Sequence, residues 1–364
     1  MTDIGHAEIE DEYQLDLMDG IEDETEVSDG SRRDFSITSY GADYTVDSLV
    51  KRMRGGAFII PEFQRKFVWS QRHASKFIES LLMGLPVPGI FLYKDISNNK
   101  HLVIDGQQRL TTLRAFYDGL FGERKFRLVG ISDTWNDKTY DQLSQSDQLK
   151  IDDSIVHATI FQQDQPKDVL DSIYFVFERI NSGGIRLSPQ EIRNCVSHGP
   201  VLQLVKNLNN NADWRAVFGP ENKRLKDQEL ILRFLAMFEA SENYKRPMAG
   251  FLNGFIEKQD KEGAVNAAAW KDGFEGALTL IRATVGEKAF RLVRAFNAAV
   301  FEAVMVGVAR RLRLNPITDT KAFGEAYQAL LENVEFRQAC EQSTADEDNV
   351  SKRIRLATEA FAGV

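Results

Sequence analysis

The stretch VIDGQQRLTTLRAFYDG, residues 103–119, sets an aspartate, a glycine, two glutamines and an arginine between a hydrophobic run and a helical pattern. Each type has a use at such a seam. Gly106 permits a tight turn and lets a ligand approach the backbone closely. A helix beginning at the glutamines presents unpaired N–H groups and the positive end of its dipole, which suits phosphate. Arg109 adds a planar fork of donors matched to phosphate oxygens. Gln107 and Gln108 are suited to orienting a water or holding a ribose or base. Asp105 is suited to binding magnesium or polarising a water. The plainer alternative is that Asp105 caps the helix while the glutamines face solvent.

Two further clusters carry chemistry. In IPEFQRKFVWSQRHASKF, residues 60–77, Phe63, Phe67 and Trp69 interleave with Arg65, Lys66 and Arg72. Between residues 51 and 76 lie seven Lys or Arg and one acid, Glu62. Basic side chains in such a run contact phosphates, and aromatics stack on bases or fill a core. Gln64 and Arg65 fall on a loop after a Pro-terminated strand, where function concentrates. In FERINSGGIRLSPQE, residues 177–191, Asn181 and Gly183-Gly184 sit between two helical patterns. That is either a helix–helix turn or a glycine-rich turn facing the same ligand as Arg109.

The elements that must position these residues follow from pattern. YTVDSLVKRM predicts a short helix and AFIIP, residues 57–61, a strand. Ser70 is placed to cap a helix whose Ala74, Phe77, Ile78, Leu81 and Leu82 form one apolar face, stopped by Gly84. GIFLYKD and HLVID predict two strands around an Asn98-Asn99 turn. The helix after Asp105 directs Leu110, Leu113, Phe116 and Leu120 inward, and SIVHATIFQ predicts a further strand. PKDVLDSIYFVFERIN reads as a helix. SPQE, residues 188–191, reads as a capping box with Pro189 at the first helical position. Only helical periodicity follows. The expected fold is α+β: an acidic disordered tail over 1–35, a nucleotide-binding domain over 36–165 and a helical domain over 166–364.

Composition narrows the class. With 43% apolar and 27% charged residues, the chain is that of a globular protein. No apolar run reaches the ~20 residues of a membrane span, and the N-terminus lacks the features of a secretory signal. Cys195 and Cys340 form no disulfide or zinc pattern, so a cytoplasmic location is expected. The net charge of −9 is misleading, because residues 1–30 hold twelve acids and no Lys or Arg. The remainder is mildly basic. The acidic block either solubilises the chain or competes with nucleic acid for a basic groove.

In this order and spacing, IPEFQRKFVW, VIDGQQRLTTL and FERINSGGIRLSPQEIRN resemble the N-terminal domain of GmrSD-type restriction endonucleases, in the ParB/sulfiredoxin-like superfamily. The resemblance spans roughly residues 40–200. It implies binding and hydrolysis of a nucleoside triphosphate with Mg2+ through Asp105, Gly106, Gln107, Gln108 and Arg109. Arg65, Asn181 and Gly184 would join the nucleotide, and Asp105 the metal. It implies a role in defence against phage or foreign DNA, often modified, with the loop Phe63-Gln64-Arg65 sensing the modification in some members; with the basic residues beside it, Phe63, Gln64, Lys66 and Arg72 are the candidates for engaging or sensing DNA. Phe63 stands where many members carry tyrosine. Members that cut DNA add an HNH-type domain with a histidine-based metal site. This chain's five histidines are His6, His73, His101, His157 and His198. With none beyond 198, a separate nuclease subunit is expected to supply cleavage. The alternative is a non-catalytic DNA-binding or scaffold protein that uses the same pocket for recognition.

Overall fold

A computed structural model describes residues 18–19, 36–60, 69–95, 99–165, 176, 188–197, 199–292 and 294–364. The fold is mixed α+β, and the chain divides into two compact units. One comprises residues 33–187. The other comprises 188–364 together with 1–32.

The first unit is built on a five-stranded mixed sheet. Its elements are β1 (Ser36–Thr45), α1 (Val46–Arg54), β2 (Phe58–Ile59), α2 (Gln71–Leu82), β3 (Ile90–Asp95), β4 (Lys100–Asp105), α3 (Gln107–Asp118), β5 (Leu120–Phe121), β6 (Arg124–Lys125), α4 (Gln145–Asp152) and β7 (Ile155–Gln165). The strand order is β1-β7-β3-β4-β2, with β5 and β6 forming a separate hairpin. β2 runs parallel to β4, whereas β3 runs antiparallel to it. The carboxyl ends of β2 and β4 therefore share one edge of the sheet with the amino end of β3. Between Phe91 and Leu92 the β3–β4 register shifts, so that Phe91 meets Asp105 and Leu92 meets Val103.

Local sequence explains these elements. Thr45 and Ser70 accept hydrogen bonds from Ser48 N and His73 N, capping α1 and α2. The apolar faces of α1, α2 and α3 close over Ile90, Leu92, Val103, Val156, Ala158 and Ile160 on one face of the sheet. Leu110, Leu113 and Phe116 are buried as the helical pattern requires. Leu120 is not: the chain leaves α3 through Gly119 at φ 71, and Leu120 lies exposed in β5.

The second unit is helical, from Pro189–Val196 to Glu347–Phe361. Ser188 and Glu191 form the capping box reciprocally, with Pro189 in the first turn. Its core gathers Trp214, Phe234, Trp270, Phe274, Phe290 and Phe301. A two-residue strand, Phe296–Asn297, pairs in parallel with Met18–Asp19. The rest of the acidic block, and the expected helix over 166–181 apart from Val176, lie outside the described residues. Among the described residues no helix is long and apolar enough to cross a membrane.

His101 on β4 gives the first unit an acid-sensitive point. It is buried edge-on to Phe58, and its Nδ1 has no hydrogen-bond partner. Burial, and then Arg52 and Lys94, pushes its pKa below the ordinary 6.5. The unfolded chain therefore binds the proton more readily than the folded one. The associated stability is whole above about pH 6.5 and is lost as pH falls toward the folded value. The urea midpoint of the wild-type chain should drop between pH 7.5 and 5. His101→Phe should flatten that drop, and an unchanged slope would show that other groups cause it.

Candidate functional site

The site lies at the carboxyl end of β4, where ligands commonly bind in open α/β sheets. β4 ends at Asp105, and α3 begins two residues later. The turn between them needs Gly106, which occupies the N-cap position at φ 96. A Cβ there would meet Ile90 Cγ2 at 2.4 Å and Ile90 Cβ at 2.9 Å. Gly106 has no side chain to cap the helix, and among the described residues Asp105 accepts from Arg109 and from no first-turn N–H. Among the described residues the N–H groups of Gln107 and Arg109 are thus left for water or a ligand.

Asp105 instead accepts from Arg109. The Arg109 Nη2 donates to Asp105 Oδ2 at 2.7 Å, an i,i+4 ion pair whose side chains are 16% exposed for Arg109 and 45% for Asp105. The Arg109 Nε is buried without a partner among the described residues. An orphaned guanidinium donor at a helix N-terminus marks a place where an anion would be satisfied. The second carboxylate oxygen of Asp105 accepts no hydrogen bond among the described residues and faces a half-open surface. A magnesium ion fits such an arrangement if phosphates and waters complete its shell, as is usual for this ion. Among the described residues no group of three or more His, Cys, Asp or Glu could hold a metal without that help.

A second helix N-terminus comes to the same place. The side-chain carbonyl of Gln108 accepts the backbone N–H of Trp69 at 3.2 Å. Trp69 precedes Ser70, the cap of α2, and its ring packs edge-on to Phe77. The residue before the α2 cap and the first turn of α3 are therefore joined by one hydrogen bond. The sequence marked Trp69 only as a stacking or core aromatic; a backbone contact between residues 39 apart leaves no trace in spacing. Arg72, in the first turn of α2, is exposed, and its stem lies beside Gly130. Gln107 is partly exposed on α3. Of the other residues singled out from sequence, Phe63, Gln64, Arg65, Lys66, Asn181 and Gly184 lie outside the described residues.

The geometry defines a class first: a mixed α+β domain with a carboxylate, a guanidinium and a helix N-terminus gathered at the carboxyl end of one strand. Residues 46–197 match the family model of the GmrSD restriction endonuclease, N-terminal domain, and this segment of the chain is a domain of that family. No curated protein matches the chain.

Two substitutions probe the construction. Gly106→Ala should destabilise the first unit by roughly 2–4 kcal/mol, combining left-handed strain with the clash on Ile90. A denaturation midpoint equal to wild type would show that the turn is not constrained. Gln108→Ala should weaken the tether between the helices by about 1 kcal/mol and speed exchange of the Trp69 amide proton, whereas Gln108→Glu should retain protection. Unaltered exchange in Gln108→Ala would mean the hydrogen bond does not form in solution.

Proposed function

We propose that this chain is the nucleotide-binding and nucleotide-hydrolysing, DNA-engaging subunit of a modification-dependent restriction or anti-phage system. Its α/β unit is read as a ParB/sulfiredoxin-like domain acting in the cytoplasm. The observation that carries the reading is Arg109 at the start of α3, whose buried Nε lacks a partner among the described residues, next to Gln108, which is tied to the segment leading into α2. That is the electrostatic arrangement a triphosphate requires, because phosphoryl transfer depends chiefly on positioning and charge stabilisation.

The residues divide the work as follows. The N–H groups of Gln107 and Arg109 receive phosphate oxygens. Arg109 turns from Asp105 to the phosphates and stabilises charge in the transition state. Asp105, released from the ion pair, holds magnesium through its carboxylate; when bound, the ion neutralises phosphate charge. Gln107 is free to orient the attacking water, while Gln108 holds the start of α2 in register. Arg65, Asn181 and Gly184 complete the nucleotide's surroundings. Phe63, Gln64, Lys66 and Arg72 engage the DNA, because the first three precede Trp69 in the chain, and Trp69 sits beside Gln108. Cleavage of DNA comes from outside residues 1–364, since no histidine follows His198.

A second reading draws on the Asp105–Arg109 ion pair itself. With both groups engaged to each other, the cradle would bind a phosphate for recognition and turn nothing over. Magnesium-dependent release of phosphate separates the two, measured on the wild-type chain with each of the four nucleoside triphosphates, with and without modified DNA. Under the first reading Arg109→Ala should lose roughly 2–5 kcal/mol of transition-state stabilisation, a fall of about 30-fold or more. Hydrolysis by Arg109→Ala at the wild-type rate would place the chemistry elsewhere.

A further inference from the structure

One histidine on the same sheet edge is held more firmly than an exposed side chain usually is. His157 lies on β7, and its Nδ1 is 2.8 Å from Asp43 Oδ1 on β1, its direct cross-strand neighbour. Two glycines accommodate it. A Cβ at Gly41 would lie 2.8 Å from His157 Cε1, and a Cβ at Gly89 would lie 2.7 Å from the His157 carbonyl oxygen. Glycine inside a strand weakens it, so its presence often marks a close approach that another residue would block. The flanking Val156 and Ala158 are buried in the core, whereas the His157 side chain is 59% exposed on the opposite face.

The register places this histidine relative to the cradle. Asp105 pairs with Phe91, and Phe91 with Thr159, two residues beyond His157. At about 4.8 Å per spacing, β7 lies two spacings, about 10 Å, from β4, and the His157 ring lies over Gly41 on β1, on the far side of β7 from β3. The amino end of β3 spans that gap, with Ile90 against Gly106 on one side and Gly89 against His157 on the other. His157 is thus too far to act on phosphates seated at the α3 N-terminus, but stands where the other end of a nucleotide would reach. With Nδ1–H donating to the Asp43 carboxylate, the neutral ring leaves Nε2 as an acceptor facing solvent.

We propose that His157, held by Asp43 over Gly41, contacts the ribose or base of the nucleotide through Nε2, accepting from a hydroxyl or an exocyclic amine. This rests on the nucleotide reading of the Asp105–Arg109 cradle. Inorganic tripolyphosphate, which has the phosphates but neither sugar nor base, isolates the inference. His157→Ala should raise KM for the preferred nucleoside triphosphate about tenfold, the loss of one hydrogen bond, with kcat little changed. Hydrolysis of tripolyphosphate should be unaffected. His157→Gln, which keeps an acceptor, should recover part of the KM. An unchanged KM for the nucleotide in His157→Ala would overturn the inference while leaving the cradle intact. Equal losses on nucleotide and tripolyphosphate would overturn it too, by assigning His157 to the phosphates or the fold. If wild type turns over neither substrate, the nucleotide reading itself fails, and this inference with it.

Discussion

The turn at Gly106 is the constraint on which the site depends. Because Ile90 packs where a Cβ would stand, the chain can turn only through glycine at φ 96. The consequence is that α3 starts almost immediately after β4, with no loop between strand and helix. Its first-turn N–H groups then sit at the sheet edge, and Leu110, Leu113 and Phe116 fall on the core side to hold it there. The same placement puts Gln108 within reach of Trp69, which draws the start of α2 to the same edge. One glycine thereby sets the start of α3, a carboxylate and a guanidinium together, with the segment leading into α2 tied beside them.

The electrostatics of that point favour exchange over permanence. An i,i+4 ion pair with a half-exposed carboxylate is worth about 0.3–1 kcal/mol. Charge-assisted hydrogen bonds from a guanidinium to a phosphate contribute about 1.5–3 kcal/mol each. On the proposed reading a phosphate would outcompete Asp105 for Arg109, with the pair keeping the arginine oriented until then. The helical unit offers a contrast. Arg353 and Glu302 pair at 2.7 Å with both side chains almost fully buried. Removing one partner there costs about 3–5 kcal/mol, because it strands a charge in a low-dielectric core. That pair is structural. The pair at the sheet edge is poised to open.

Much of this was legible in the sequence, for reasons that differ by element. The helix after Ser70, the start of α3 at Gln107 and the Ser188–Glu191 capping box were readable because caps and apolar faces are local signals. β1 was not. SITSYGADYT is polar on both faces because the strand is an exposed edge, so no alternation marks it. Leu120 fitted the helical period but fell past the glycine that ended the helix. At the site, residue types and spacing pointed to Asp105–Arg109, yet the pairing of those two, the missing side-chain cap and the Gln108–Trp69 contact are matters of rotamer and long-range packing. His157 and Asp43 are 114 residues apart and meet only through the β1–β7 register.

The central claim is that Arg109 leaves Asp105 for a phosphate at the N-terminus of α3. Nitrogen-15 NMR of the arginine side chains, with exchange rates of the Gln107–Arg109 amides, reads this directly as a nucleoside triphosphate and magnesium are added. The account predicts a shift of the Arg109 Nε resonance, slowed exchange at Arg109 Nε–H and at the first-turn amides, and the same response to tripolyphosphate. Saturating nucleotide that leaves Arg109 and these amides unchanged, while shifting resonances elsewhere in the chain, would contradict it.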